Sequence, residues 1–493
     1  MYLKKALRGT LAVMFMTVLA GITWYLLRFS LARNLTVQEY GVFYAVLSFY
    51  SFLSLFVDVG FSQAVPKFVV DLNVKKQKRK VKSLLVYVLL FQLIISSLLF
   101  IIIALLASWL SINYFHKDVS NLIIIMGLWF LLIPIISFFA SMFLGFQKYG
   151  LGSSIDLVKS FFILITVLGL VFLGFGVYAP ILAYVFSNII LLFIYAPFIK
   201  NTFKDFFKLK TIFYKDLFFT VIKYCFYVSL SSVSWMILTQ TDTLMLTYFK
   251  GTEAVGLYQV AVPLASISFY IINALSFVAF PMISELLARK KIKEIGAGLS
   301  IFYKYIFFLI FPIALVLFSF ASLAITILFG AKYLGAVVAL QILAIGGIFS
   351  AIALFNGSVL SALGKAKLSA KIMGLAALTN FILNLIFIPL LGIVGAAIST
   401  MIAFLLALIF STILLRKEVK LVFPLKSWIL TFLFGIGVTV VIGYLKTVLK
   451  YNNLFEAGSI LVIAAIIYVG LGIAFKIIDL KEIKEMIRNV VGK

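Results

Sequence analysis

Fourteen apolar runs recur along the chain, each close to the ~20 residues that an α-helix needs to cross the hydrocarbon core of a bilayer. They lie at 11–31, 42–63, 83–108, 119–144, 154–175, 178–199, 219–249, 255–280, 300–329, 336–361, 368–390, 393–415, 425–449 and 455–477. Inside a bilayer every backbone N–H and C=O must be satisfied within the protein, so runs of this length are read as helices. Composition agrees: 64% of the 493 residues are hydrophobic and 12% charged, against about a half and a quarter in a soluble domain. The expected fold is an all-α polytopic membrane protein with about 14 transmembrane helices. The first run follows Lys4, Lys5 and Arg8 as a signal peptide would. It is too long, and no small-residue cleavage pattern precedes Arg28, so it is expected to remain as a helix.

The charges are lopsided, with 42 Lys+Arg against 16 Asp+Glu and a net of +26. Nucleic acid is not the expected partner, because no segment outside the runs is long enough to fold into a recognition module. An even number of spans puts both termini on one side. Sorting the connecting segments alternately places 35 basic residues on that side and 7 on the other: Arg28, Arg33, Lys117, Lys250, Lys332, Lys446 and Lys450. Lys and Arg in short loops are retained in the cytoplasm, so both termini are expected to be cytoplasmic, in a multi-pass protein of the cell membrane. Membrane lipids are then partners by default. The single cysteine, Cys225, and single histidine, His116, exclude an internal disulfide and a His/Cys metal site.

The chain repeats when slid against itself by about 215 positions. Tyr40-Gly41-Val42-Phe43 falls on Val255-Gly256-Leu257-Tyr258, Pro66 on Pro281, and Gly176 near Gly392. Six spans per half give both halves one orientation, which predicts pseudo-symmetric lobes related by an axis along the membrane normal. The expected organisation is an N-lobe at 1–200, a basic cytoplasmic linker at 201–216, a C-lobe at 217–416, and spans 13 and 14 with the tail at 417–493.

Several chemistries are excluded. No phosphate-binding G-x-x-x-x-G-K-[ST] loop occurs; Gly364-Lys365 lacks both the upstream glycine and the hydroxyl. The outer acids Glu39, Asp118, Glu253 and Glu456 are scattered over separate loops, without the paired carboxylates that a membrane transferase uses to hold a metal. The chain is not expected to be an enzyme, and no cofactor or metal is expected.

Two acids draw attention within spans, Asp58 and Asp242, since an intramembrane charge normally faces a cavity or a partner. At 100° per residue Ser231 and Trp235 share a face with Asp242, with Thr239 nearby, and Gln240 and Thr243 extend the polar stripe. A carboxylate there serves as a proton, Na⁺ or sugar-hydroxyl site, or as a hydrogen-bonded link between packed helices. Asp58, beside Gly60 and the cytoplasmic loop, is read as a charge paired with nearby lysines, with ion coupling as the alternative. Lys159, Lys223, Lys304 and Lys371 enter spans from the cytoplasmic side. Each is free to snorkel to lipid head groups; together they suit a cavity that attracts an anion. Arg28, at the outer end of span 1, either anchors the interface or receives the same anion, its guanidinium matching phosphate oxygens. Prolines 134, 263, 281, 312 and 389 fall within spans or at their ends, where they permit kinks.

The stretch Arg33-Asn-Leu-Thr-Val-Gln-Glu-Tyr-Gly41-Val-Phe-Tyr, with Phe56-Val-Asp58-Val-Gly60-Phe, resembles the opening of the polysaccharide transporters, the O-antigen-type flippases of the multidrug/oligosaccharidyl-lipid/polysaccharide exporter superfamily. So does Gln240-Thr-Asp242-Thr-Leu-Met-Leu with Glu253-Ala-Val-Gly256-Leu-Tyr258-Gln-Val-Ala261. The likeness runs from about residue 5 to residue 415. It implies a MATE-like V of two six-helix lobes plus two further helices. It also implies a substrate, a polyprenyl-diphosphate-linked oligosaccharide flipped from the inner to the outer leaflet, with polysaccharide-assembly proteins as further partners. Members of the multidrug branch carry an acid early in the first helix, whereas Leu11 to Leu27 contain none, which disfavours a cation-coupled multidrug antiporter. Lipid II flippases share the fourteen-span plan and remain an alternative. A non-transporting scaffold for envelope assembly would tolerate substitution across the cavity face, and a membrane glycosyltransferase would turn over a sugar donor.

Overall fold

The computed structural model describes residues 2–449 and 454–479, with side chains throughout except at 2–12, 227, 230–231, 445–449, 454–457 and 461. Two compact units divide it, Met1–Gly256 and Leu257–Lys493. The first contains α1 (Tyr2–Asn34), α2 (Val37–Asp58), α3 (Phe61–Val74), α4 (Lys78–Asn113), α5 (Ser120–Gly145), α6 (Tyr149–Phe172), α7 (Tyr178–Tyr195), the short α8 (Pro197–Thr202) and most of α9 (Lys215–Ala265). The second follows with α10 (Ile267–Ala288), α11 (Ile292–Ser319), α12 (Ala321–Leu328), a 3₁₀ turn at Ala331–Ala336, α13 (Val337–Ala362), α14 (Ala366–Leu391), α15 (Ile393–Glu418), α16 (Leu425–Leu449) and α17 (Leu454–Ala474). There is no strand among the described residues.

Among the described residues, twelve stretches are long and apolar enough to cross a membrane. One of them, Ser232–Ala288, has 57 residues; at 1.5 Å per residue it would reach about 86 Å, almost three bilayer cores. Gly251 breaks it with φ 78° and ψ 179°, a conformation open to glycine at no steric cost, so this stretch holds two crossings. The shorter apolar helix Gly458–Ala474 brings the spans to the expected fourteen. Large side chains such as Leu105 (80% exposed), Phe172 (91%) and Phe193 (76%) point outward, as a hydrocarbon solvent allows and water does not.

Helix starts carry the repeat. Ser120 and Val337 open α5 and α13, Tyr149 and Ala366 open α6 and α14, and Tyr178 and Ile393 open α7 and α15, displaced by 217, 217 and 215 residues. Pro66 and Pro281 lie inside α3 and α10. Prolines 134, 263, 312 and 389 also lie inside helices.

The division at Gly256 leaves the whole seventh span with the first unit. Near one end Lys67 lies over the Tyr224 ring at 3.9 Å. Near the other the Tyr114 hydroxyl donates to the Leu244 carbonyl at 2.9 Å and His116 Nε2 meets the Tyr248 carbonyl at 3.0 Å. The two repeat glycines meet as well: a Cβ on Gly41 would strike the Thr252 carbonyl oxygen, and one on Gly256 the Val37 carbonyl oxygen. Each glycine thus faces the carbonyl four residues before the other, the self-complementary contact of a local twofold.

The basic segment after α8 docks on the start of α4. Lys78 pairs with Asp205 at 2.7 Å, Lys82 Nζ donates to the Leu209 carbonyl at 2.6 Å, and the Ile212 N–H donates to Ser83 Oγ at 3.1 Å. The Lys78 ammonium, helped by Lys208 and Lys204, holds the Asp205 carboxyl below the usual range. Phe203 and Phe206 pack on the core formed by residues such as Phe61, Val65, Met142 and Phe143.

In the second unit, α13 packs against α10, α11, α14 and α15. A buried polar chain links α11, α13 and α15: the Tyr303 hydroxyl donates to Asn356 Oδ1 at 2.6 Å, and Asn356 Nδ2 donates to Ser411 and Thr412. Such bonds serve where packing between apolar helices gains nothing from expelling water. The last two spans attach through α11, with the Trp428 indole donating to the Tyr303 carbonyl and the Tyr468 hydroxyl to the Phe308 carbonyl.

Candidate functional site

Two basic residues within spans of the first unit converge. Ser153 Oγ contacts Met16 Sδ at 3.2 Å and Trp24 Nε1 reaches Asp156 Oδ2 at 3.4 Å, so α1 and α6 run side by side in the same direction. Arg28 follows Trp24 by one turn, and Lys159 follows Asp156 by one turn. Both cations approach one ring, Tyr184, which interacts electrostatically with Arg28 and lies 5.9 Å from the Lys159 ammonium.

Aromatic rings hold both cations. The Arg28 guanidinium lies 4.6 Å from the Tyr44 ring centroid, and the Lys159 ammonium lies 5.5 Å from Trp129 and 5.9 Å from Tyr184. Each such contact contributes about 0.5–2 kcal/mol, more where water is excluded. Tyr184 joins the set, with its ring 6.2 Å from Trp24, 5.6 Å from Phe43 and 5.5 Å from Trp129. Tyr44, Trp129 and Tyr184 are buried, while Arg28 and Lys159 are half-buried and Asp156 is exposed. Among the described residues the Trp129 N–H, on a residue 6% exposed, has no acceptor, and Ser187 Oγ and Asn188 Oδ1, one turn beyond Tyr184 on α7, are likewise unsatisfied. Buried polar atoms are normally paired, so this lining is built to receive hydrogen bonds. Two cations against one carboxylate make the cluster net positive.

The profile of the polysaccharide biosynthesis protein family matches residues 6–287, more than half of the chain, and the MatE profile matches 228–386. The chain belongs to the polysaccharide biosynthesis protein family. It is 30% identical to an uncharacterized membrane protein of Methanocaldococcus jannaschii over the full length of both. It is 24% identical to a probable low-salt glycan biosynthesis flippase of Haloferax volcanii, over 55% of this chain and 57% of that one. Its fold is similar to that of a solved structure of the lipid II flippase MurJ, with a TM-score of 0.76, 19% identity, and coverage of 95% of this chain and 98% of that one.

Within this family fold the remaining candidates scatter. Lys223 and Lys371 are exposed, and Lys304, 9% exposed, lies 4.8 Å over the Tyr305 ring. Lys304 and Lys371 belong to the second unit. Asp242 is buried at 4% exposure, Trp235 is 39% exposed, and Thr239 donates to the carbonyls of Trp235 and Met236. Gln240 is half-buried, and the Ser231 side chain lies outside the described residues. Asp58 differs from expectation. It takes the N–H groups of Gly60 and Ser62 and the Ser62 hydroxyl, so it caps α3 where the chain breaks at Val59 and Gly60 and pairs with no lysine among the described residues. A carboxylate suits that place because the first N–H groups of a helix lack partners.

Arg28 and Lys159, expected toward opposite ends of their spans, both approach Tyr184. The sequence reading missed Asp156, Trp24, Tyr44, Trp129 and Tyr184. Asp156 was legible as a third acid within a span; the aromatics carried no signal among 52 Phe and 23 Tyr.

Proposed function

We propose that the chain is a flippase that carries a polyprenyl-diphosphate-linked oligosaccharide from the inner to the outer leaflet. The observation that supports this reading is the pair Arg28 and Lys159, both within apolar spans, on aromatic faces and near Tyr184. A diphosphate diester bears two negative charges, and two cations in surroundings of low dielectric answer them far more strongly than in water. Arg28 grips phosphate oxygens through its planar fork and Lys159 adds a point charge. The lipid tail stays in the bilayer while the head group follows the polar lining.

Transport proceeds by alternating access of the lobes at 1–200 and 217–416, joined by the linker at 201–216, with both termini cytoplasmic in the cytoplasmic membrane. No bond is made or broken in the substrate, so the chain is a transporter and not an enzyme. Asp242, buried on α9, is the acid through which a proton or Na⁺ gradient would act; Asp58 is occupied in its cap. Polysaccharide-assembly proteins would supply and consume the substrate. A multidrug antiporter for organic cations fits less well, because the cluster in the first unit is net positive.

The test is flipping of a fluorescent lipid-linked oligosaccharide in proteoliposomes. The double variant Arg28→Ala/Lys159→Ala is expected to lose at least tenfold in rate, since each charge-assisted contact with phosphate contributes about 1.5–3 kcal/mol. An unchanged rate in the double variant removes the anion-binding role.

A further inference from the structure

Asp156 does not belong in a site built for anions alone. Arg28 and Lys159 already match the two charges of a diphosphate, and a carboxylate one turn from Lys159 repels the same ligand. Its hydrogen bonding among the described residues is one long contact, 3.4 Å from the Trp24 indole to Oδ2, and Oδ1 accepts none. A carboxylate offers about four acceptor sites, so most of its capacity faces the exposed side of α6. Trp24 is half-buried and tilted against Tyr184 at 47°.

We propose that Asp156 and Trp24 read the sugar attached to the diphosphate. Asp156 accepts from hydroxyl or acetamido N–H groups, and the indole covers an apolar face of the pyranose ring. The buried Trp129 N–H beside Lys159, which lacks an acceptor, donates to a phosphate oxygen. The layers have the right order. The acid and the indole lie one turn nearer the starts of α6 and α1 than the two cations, a separation of about 5 Å that suits one hexose next to its phosphate. With the termini cytoplasmic, each cation precedes the acid or the indole of its own helix on the way toward the cytoplasm. A lipid-linked sugar in the inner leaflet presents diphosphate and then sugar in that same sequence. This inference rests on the flippase reading and adds a specificity to it: the protein distinguishes a glycosylated carrier from a bare one.

The experiment measures binding of two probes to the full chain in nanodiscs, undecaprenyl diphosphate and undecaprenyl-diphosphoryl-N-acetylglucosamine. Wild-type protein is expected to prefer the sugar-bearing probe about tenfold, the effect of one good hydrogen bond to a charged group. Asp156→Ala is expected to abolish the preference while holding or tightening binding of the bare probe, which also shows that the variant is folded. Asp156→Asn, which keeps an acceptor and loses the charge, is expected to retain only part of the preference. Equal weakening of both probes by Asp156→Ala, or a wild type without preference, overturns the sugar-reading role and leaves the flippase reading standing. A wild type that binds neither probe overturns both.

Discussion

The energetics of the candidate site turn on how a cation is kept inside an apolar span. Arg28 has the Tyr44 face at 4.6 Å, and Tyr40 and Tyr184 are near enough to interact with it electrostatically. A delocalised guanidinium is weakly hydrated and stacks on such rings, whereas an ammonium is compact and strongly hydrated. Arg28→Lys is therefore not conservative here. It keeps the charge, loses the bidentate fork and stacks less well, so head-group affinity should fall about tenfold relative to wild type. Titration of undecaprenyl diphosphate into each protein measures this, and Arg28→Lys at wild-type affinity would show that only charge matters. The same residue shows where sequence reading stopped. Counting Arg28 with its nearest loop set it on the outer side and Lys159 on the inner, because a linear count knows span ends and not neighbours. Only the packing of α1 on α6, marked by Met16 with Ser153 and Trp24 with Asp156, brings both cations to the Tyr184 ring.

Among the elements, the crossing of α2 with α9 is the most constrained. Gly41 and Gly256 admit each other's helices so closely that a methyl group on either would enter a backbone carbonyl, and backbone cannot rotate away as a side chain does. Gly41→Ala and Gly256→Ala should each cost about 1–3 kcal/mol, the range for overpacking a filled contact. Lower midpoints of thermal unfolding in detergent would register this, with Gly437→Ala, where a Cβ meets nothing, near wild type. The pair was legible as a repeat anchor, because Gly41 and Gly256 hold one offset with their aromatic and apolar neighbours. That the anchors would touch was not legible, since an offset records duplication and carries no distance. Helix existence was legible throughout for a simpler reason: a span must be apolar over its whole length, whatever it packs against. The Gly251 break was covered by the expected change of span, while the division between Val59 and Gly60 was missed because both residues sit inside one apolar run.

For the whole molecule, charge and hydropathy act on different parts of the chain. The apolar side chains face outward, as with Phe172 and Leu105, and the basic residues gather in the connections, above all around α4 and the docked segment of Lys204, Lys208 and Lys210. An anionic leaflet attracts such a cluster at about 1 kcal/mol per basic residue near the surface, so the expected 35 to 7 partition predicts an orientation with cytoplasmic termini. That orientation has a direct chemical consequence. In a Cys225→Ala background, which removes the chain's single thiol, Lys204→Cys and Asp118→Cys place a reporter on opposite sides. A membrane-impermeant maleimide added to intact cells should label Asp118→Cys fully and Lys204→Cys only after permeabilisation. Both positions are exposed on the protein, so the membrane alone governs access. The reverse pattern would invert the chain, set the cation layer on the cytoplasmic side of Asp156 and Trp24, and remove the match between their order and that of diphosphate and sugar in the inner leaflet.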